Sequence, residues 1–255
     1  MTVRYPAKAN TLRFFRAAGL PAGTVIDVGV QEETAELRQA FPDLRHILFE
    51  PVAEFHPALH RNYAGMDYVL VPAALSDRDG TEYLHKYAID GGKISHSTLV
   101  DERSGEAVKT VAAMRLDSFM KGRADPKPYL LKLDVDGLEI EILRGAEGIW
   151  DDIGCIIIEA NRLNIAERLN FLLSKRFKLF DIVDHCYYHG VFIQVDLVFA
   201  AEALMDNPNL RPWETKKFDW NEWVPAAGFE AAVQRSALAG TWKSGLRSLK
   251  FWKRG

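Results

Sequence analysis

The 255 residues carry a net charge of -3 and are 48% hydrophobic, which suits a soluble chain with one large α/β domain, or such a domain with an appendage. No apolar run reaches the ~18 residues of a membrane span, and Met1-Thr2-Val3-Arg4-Tyr5-Pro6 lacks the apolar core of a signal peptide. Residues 206–255 hold nine Lys/Arg and five Asp/Glu, leaving a body at -7 whose acidity argues against a nucleic-acid-binding domain.

Residues 8–18 read as a helix with Leu12, Phe15 and Ala18 on one side. Pro21, Gly23 and Thr24 end it. Val25-Ile26-Asp27-Val28-Gly29 follows as a short buried strand. Thr34 to Phe41 is helical in pattern, His46 to Glu50 is a second strand ending in an acid, and residues 52–63 form a helix. Tyr68 to Val71 is a third strand. This alternation predicts βαβ units on a parallel sheet, with right-handed crossovers placing helices on both faces.

Residues 78–115 break the rhythm. Thr81 to His85 reads as an exposed strand, residues 91–98 as a polar loop, and Val108 to Met114 as a returning strand. A long insertion of this kind suits a lid or substrate loop, or equally a surface hairpin.

Leu116 to Lys121 is a short helix. It leads into Tyr129-Leu130-Leu131-Lys132-Leu133-Asp134-Val135-Asp136-Gly137-Leu138-Glu139, the stretch around which the chain is organised. Its apolar run predicts a central parallel strand covered on both faces. Lys132 and Asp134 are expected inside that strand, where a buried charge needs a partner or a task. Asp136 and Glu139 have the spacing of a capping box for the next helix, residues 138–147. Ile153 to Glu159 is another buried strand ending in an acid. Residues 165–175 form a helix. Phe177 to Val183 and Val191 to Ala200 are strands joined by the loop His185 to Gly190, and a link so short demands an antiparallel pair. The count is seven strands, mostly parallel, with the last antiparallel.

Glu50 follows Asp27 by 23 residues, at the end of the next strand. An acid in that place is suited to a ribose diol. The loop after Gly29, Val30-Gln31-Glu32-Glu33-Thr34, lacks the glycines that would cradle a pyrophosphate. Its two glutamates would repel an anion but not S-adenosylmethionine (SAM), whose sulfonium and ammonium groups are cationic. An NAD-linked oxidoreductase is therefore disfavoured.

The ordered blocks Ile26-Asp27-Val28-Gly29, Phe49-Glu50-Pro51, Ala73-Ala74-Leu75-Ser76-Asp77, Arg115-Leu116-Asp117, Leu131 to Glu139 and Ile157-Ile158-Glu159 resemble the FkbM family of SAM-dependent methyltransferases over residues 25 to about 200. The resemblance implies a Rossmann-like class I methyltransferase fold and O-methylation of a sugar hydroxyl in a glycan, glycolipid or glycosylated metabolite. It also implies roles. Asp27, Gly29 and Gln31 would shape the pocket for the methionine part of SAM, Glu50 would hold the ribose, and Ser76 and Asp77 would lie near the adenine. Lys132 and Asp134 would be closest to the transferred methyl. A sugar hydroxyl is a weak nucleophile, so Asp134 is expected to accept its proton and Lys132 to orient the acceptor or tune the acid. The chain departs from the family at Glu33, where Gly is common, and at Gln31, where Asn is. The alternative reading is a non-catalytic SAM-fold binding or scaffold protein with a cofactor loop altered at Glu33. A divalent metal held by Asp134 and Glu159 is left open but not favoured. His185 and His189 flank Cys186 without a clear further ligand, so a polar turn is preferred to zinc.

The methyltransferase domain is expected over residues 1–205, with a Trp-rich basic extension over 206–255. Trp213, Phe218, Trp220 and Trp223 are expected to pack on the domain or on a partner subunit in preference to stacking on sugar. Lys243, Arg247, Lys250 and Arg254 form one helical stripe beside Trp242, Leu246 and Leu249, a pattern suited to an anionic membrane surface, or else a solvated tail. Cys155 and Cys186 read as free thiols of a reducing cytosol. The expected setting is cytoplasmic, with peripheral contact at the inner membrane surface through residues 241–255 and a homo-oligomer both left open.

Overall fold

A computed structural model describes residues 6–88, 94–100, 108–211 and 217–219. The Trp-rich cluster, apart from Phe218, and the basic stripe of residues 241–255 lie outside the described residues.

The main sheet has seven strands: β1 (Thr24–Val28), β2 (Arg45–Phe49), β3 (Tyr68–Val71), β8 (Tyr129–Leu133), β9 (Ile153–Asn161), β10 (Phe177–Tyr188) and β11 (Val191–Ala201). Their order is β10-β11-β9-β8-β1-β2-β3. All neighbours pair in parallel except β11, which runs antiparallel between β9 and β10. From β1 the chain first builds outward through β2 and β3. It then returns to the other side of β1 to lay down β8. The strand order therefore reverses between β1 and β8, and in open α/β sheets that crevice is where ligands bind.

Helices cover both faces because successive strand residues point to opposite sides. Val25, Leu130 and Ile157 pack with Leu12 and Phe15 of α1 (Lys8–Ala17) and Leu37 and Ala40 of α2 (Ala35–Ala40). Ile26, Leu131 and Ile156 pack on the other face. There they meet Leu116 and Met120 of α4 (Leu116–Met120), Ile140 and Leu143 of α5 (Glu139–Arg144) and Leu172 of α6 (Ile165–Ser174). Each fully buried Leu or Ile contributes about 1.5–3 kcal/mol relative to an exposed one. Such a two-faced core explains why the central strands read as unbroken apolar runs.

The inserted segment builds a second sheet, β4-β7-β5-β6, from β4 (Ala74–Leu75), β5 (Gly80–Ala88), β6 (Ile94–Val100) and β7 (Val108–Met114). Residues 91–98 were expected as a loop; residues 94–100 pair antiparallel with β5 instead. The polar alternation Ser95-His96-Ser97-Thr98 suits an edge strand as well as a loop, and pairing with β5 decides it. β5 is anchored by Leu84, buried against Val52 and Phe55.

Three further expectations are corrected. The 52–63 helix is a 3₁₀ turn, Ala53–Phe55, followed by α3 (His56–Asn62), with Pro57 in the first turn of α3. The β10–β11 link shrinks to His189-Gly190, both at positive φ (48° and 78°), the backbone of a tight hairpin turn. His185 is therefore inside a strand. Finally, β8 ends at Leu133, so Asp134 lies beyond the strand and not within it.

Candidate functional site

Strand register builds the site. Val28 pairs with Phe49 on one side and with Leu133 on the other. The next residue on each strand is therefore Gly29, Glu50 and Asp134, side by side at the carboxyl edge. Backbone bonds stitch the three loops: Gly29 N–H donates to Phe49 O at 3.1 Å, and Asp134 N–H donates to Val28 O at 3.2 Å. Gly29 has φ of 78°, and a Cβ there would fall 1.9 Å from the Asp134 carbonyl oxygen. Only glycine lets the two loops approach this closely.

Glu50 is 2% exposed. Its Oε2 accepts from the Gln31 amide and its Oε1 from the Val52 amide, both at 2.8 Å. Burial pushes its carboxyl above the usual glutamate range, against the pull of those two hydrogen bonds. Glu50 lines a cleft of about 550 Å³, open on one side, together with Gly29, Gln31, Leu75, Leu84 and Asp134. Leu84 comes from β5, so the inserted sheet forms part of the wall.

Lys132 is the charged centre beneath the cleft. It is 3% exposed, and its Nζ lies 3.1 Å from Asp134 Oδ2 and 3.4 Å from Asp27 Oδ1, while donating to Gly29 O at 3.2 Å. Burial alone would lower its pKa; the charges of Asp134 and Asp27 reverse this and raise it. Asp27 is fully buried, and neither of its oxygens accepts a hydrogen bond from a described residue. Its compensation is the Lys132 ion pair, which ties β1 to β8.

Asp134 is held below the usual aspartate range. Burial would raise it, but Lys132 and a hydrogen bond from Glu159 outweigh burial. Glu159 moves the opposite way, up to about 8, through burial and the neighbouring Asp134, Asp136 and Glu139. A second cavity of about 840 Å³ opens on the far side of Asp134, lined by Lys8, Glu32, Glu33, Glu36 and Lys132 among others. The two cavities share Gly29, Gln31 and Asp134.

Six of the eight residues singled out from the sequence thus gather here: Asp27, Gly29, Gln31, Glu50, Lys132 and Asp134. Ser76 and Asp77 do not line the cleft; Ala73, Ala74 and Leu75 do. Through their backbones, Ser76 N–H donates to Met114 O and Asp77 O accepts from Arg115, which joins β4 to β7 and the start of α4. Glu33 does not line the first cleft either. Its Oε2 accepts from Arg38 Nε and Nη2 at 3.0 and 2.7 Å, which turns it toward α2.

The capping box is replaced by a different device. Asp136 has φ of 58°, the N-cap is Leu138, and Glu139 opens α5. Glu139 Oε1 accepts from the Val135 and Gly137 amides, and its Oε2 pairs with Arg168 of α6. Both side chains are buried. Arg168 gave no sequence signal, because a lone Arg in a helix reads as a solvated face. Cys155 and Cys186 are free thiols. Among the described residues no three His, Cys, Asp or Glu side chains are grouped to hold a metal ion, and no helix is long and apolar enough to cross a membrane.

The donor set fits SAM. A carboxylate offers about four lone-pair sites; two backbone amides occupy Glu50, leaving capacity for a ribose diol. The acids beside Gly29 suit a cationic amino-acid tail.

The Methyltransferase FkbM domain matches residues 22–180. Among solved structures, the chain is similar to a precorrin-6y C5,15-methyltransferase from Geobacter metallireducens GS-15 (14% identity, TM-score 0.43, covering 76% of this chain and 86% of that one). It is also similar to an rRNA methylase from Streptococcus thermophilus (11%, 0.45, covering 79% and 99%). A third is the magnesium protoporphyrin IX methyltransferase of Synechocystis PCC 6803, solved with bound SAM (10%, 0.43, covering 76% and 77%). No curated protein sequence matches. With a family match that spans most of the sheet and a cleft whose donors suit SAM, this chain belongs to the FkbM family of SAM-dependent methyltransferases.

Proposed function

We propose that the chain transfers the methyl group of SAM to a hydroxyl oxygen, on a sugar of a glycan, glycolipid or glycosylated metabolite. The observation that carries this reading is Asp134, a carboxylate at the seam between the two cavities, with Lys132 fixed against it at 3.1 Å. The first cavity suits the cofactor. The second is lined by polar and charged groups and suits a hydrophilic acceptor.

SAM, when bound, supplies an electrophilic methyl carbon on a positively charged sulfur. The protein's task is to hold the acceptor oxygen in line with that carbon and to take its proton. Glu50 and Gln31 would set the depth of the cofactor. Asp134 would accept the hydroxyl proton. Lys132, buried and charged, would orient the carboxylate and keep its second oxygen from turning away. The rival, a non-catalytic protein with a damaged pocket, depends on Glu33 crowding the cofactor, and the pairing of Glu33 with Arg38 speaks against it.

The test is calorimetric titration with SAM, followed by turnover on a panel of sugars and glycolipids, for the native chain and Asp134→Asn. The expected result is unchanged SAM affinity with turnover reduced about 10²–10⁴-fold, the range of a general base. Equal turnover would remove Asp134 from the mechanism.

A further inference from the structure

The second cavity has a wall that the family match does not reach. Lys8 opens α1 and lines that cavity together with Asp134 and Lys132. Its partners are Asp184 of β10 and Asp196 of β11, and all three residues lie outside the matched span of residues 22–180. Backbone bonds fix its place. Lys8 N–H donates to Asp184 Oδ1 at 3.0 Å, and Asp184 N–H donates to Pro6 O at 3.1 Å. Further along α1, Leu12 and Phe15 pack in one cluster with Val183 and Val198 of the same two strands.

The two lysines of the cavity differ in what they have left to donate. An ammonium carries three N–H donors. Lys132 Nζ has three acceptors around it, Asp134 at 3.1 Å, Gly29 O at 3.2 Å and Asp27 at 3.4 Å, so it is fully engaged. Lys8 Nζ donates to Asp196 Oδ2 at 2.6 Å and otherwise has a longer ion contact, 3.6 Å, with Asp184 Oδ2. Among the described residues at least one N–H of Lys8 is therefore unspent, on a side chain only 11% exposed that borders a cavity of about 840 Å³. A buried donor of this kind calls for an acceptor.

Charge narrows what can sit there. Lys132 is offset by Asp27 and Asp134, Lys8 by Asp196 and Asp184, and Glu33 by Arg38. Glu32 and Glu36 then leave the lining acidic. Carboxylates accept hydrogen bonds from hydroxyl groups and repel an anion, while Lys8 supplies the donor that a hydroxyl oxygen needs.

We propose that Lys8 is an acceptor-binding residue: its ammonium donates to a hydroxyl oxygen neighbouring the one that is methylated, and the acceptor is a neutral sugar and not an acidic one. Under the reading of the chain as a sugar O-methyltransferase, on which this role rests, the ring held at Lys8 presents its reactive hydroxyl to Asp134 across the same cavity. Lys8 does not act on the transferred methyl. Its contribution is binding felt equally before and during the reaction, which shows in KM and not in kcat.

The test uses the full chain and two readouts. The first is a titration with neutral monosaccharides, and separately with glucuronic acid, in the presence of S-adenosylhomocysteine. It is followed by ammonium-nitrogen NMR of lysine-labelled protein, with Lys8→Met identifying the Lys8 signal. A neutral sugar should shift that signal and glucuronic acid should not. The second readout is kinetics on the sugar that is methylated and on its monodeoxy analogues. Lys8→Met should raise KM for the sugar about 10–100-fold, the worth of a hydrogen bond to a charged group, with SAM affinity unchanged. The native chain should disfavour one monodeoxy analogue by a similar factor, and Lys8→Met should not. Lys8→Arg, which keeps the charge opposite Asp196, should recover part of the loss. A residue that only ties α1 to the sheet would lower Tm and leave the discrimination against the deoxy sugar intact, and that result would overturn the role of Lys8. Equal use of glucuronic acid would overturn the preference for a neutral sugar. A Lys8 signal shifted by sugar without methyl transfer would leave Lys8 standing and refute the O-methyltransferase reading. Transfer to a sugar with the Lys8 signal unmoved would refute Lys8 alone, and neither shift nor transfer would refute both.

Discussion

Arg168→Met is the most informative single change, because it separates two roles of Glu139. Arg168 is 2% exposed and Glu139 fully buried, and they pair across the α5–α6 contact. Removing one partner of a buried pair costs about 3–5 kcal/mol, since the other charge is left without compensation. In a domain of this size each kcal/mol lowers Tm by about 2–4 °C, so Arg168→Met should melt roughly 6–20 °C below the native chain. Glu139 also accepts from the Val135 and Gly137 amides, at 3.3 and 3.2 Å, through its other oxygen. A glutamine can keep that acceptor without the charge. Arg168→Met with Glu139→Gln should therefore recover at least half the lost stability in urea unfolding, and also SAM affinity, because the loop carrying Asp134 is again pinned. A loss below about 1 kcal/mol for Arg168→Met, or no recovery in the double variant, would refute the assignment of a buried, compensated charge.

Gly29→Ala places a Cβ 1.9 Å from the Asp134 carbonyl oxygen, about 1.5 Å inside ordinary contact, so the two loops must part. Misplacement on that scale costs on the order of 10²-fold in turnover, and calorimetry should show weakened SAM binding; native affinity would mean the loops separate freely. Lys132→Met leaves Asp27 and Asp134 facing each other and should lose about 3–5 kcal/mol, with Asp27→Asn restoring part of it in urea unfolding. The native Asp134 contribution has a pH signature of its own: its pKa is lowered, so the stability is present above the ordinary aspartate range and is lost as pH falls through the lowered folded value. Glu50 is shifted the other way, so it takes up its proton at a higher pH than an ordinary glutamate. SAM affinity should accordingly fall on mild acidification, and Glu50→Gln should flatten that dependence; a native affinity constant across the acid range would exclude Glu50 as the ribose ligand.

Much of this was legible before any coordinates. The apolar runs around Ile26, Leu48, Leu131 and Ile157 located the central strands, because residues covered on both faces leave no alternation to misread. The acids Asp27 and Glu50 at or near strand ends, with Lys132 close by, pointed to the carboxyl edge where the structure forms a cleft. Ser76 and Asp77 lie just past the cleft wall of Ala73, Ala74 and Leu75, because polar residues after a strand serve equally to bind a ligand or to tie one loop to another, and their backbones bond Met114 and Arg115. Glu139 failed because capping spacing reports only local geometry, while its partner Arg168 lies 29 residues away. The strand at residues 94–100 failed because a polar edge strand and a loop share a composition, and only the pairing with β5 distinguishes them.

The placement of charge around the 134–137 loop has a consistent logic. Apolar residues could fill the space under it, and replacing a buried ion pair with apolar side chains is often neutral or stabilising. Instead the loop is held from two sides by buried cations. Lys132 grips Asp134 from below while bridging to Asp27, and Arg168 grips Glu139, whose other oxygen holds the Val135 and Gly137 amides. The two anchors need not contribute stability to be retained. Each fixes an orientation that an apolar contact would leave free to slide, and the group so oriented is the Asp134 carboxylate, at the seam of both cavities. The arrangement therefore reads as stability exchanged for aim, with the aimed group 3.1 Å from a buried ammonium.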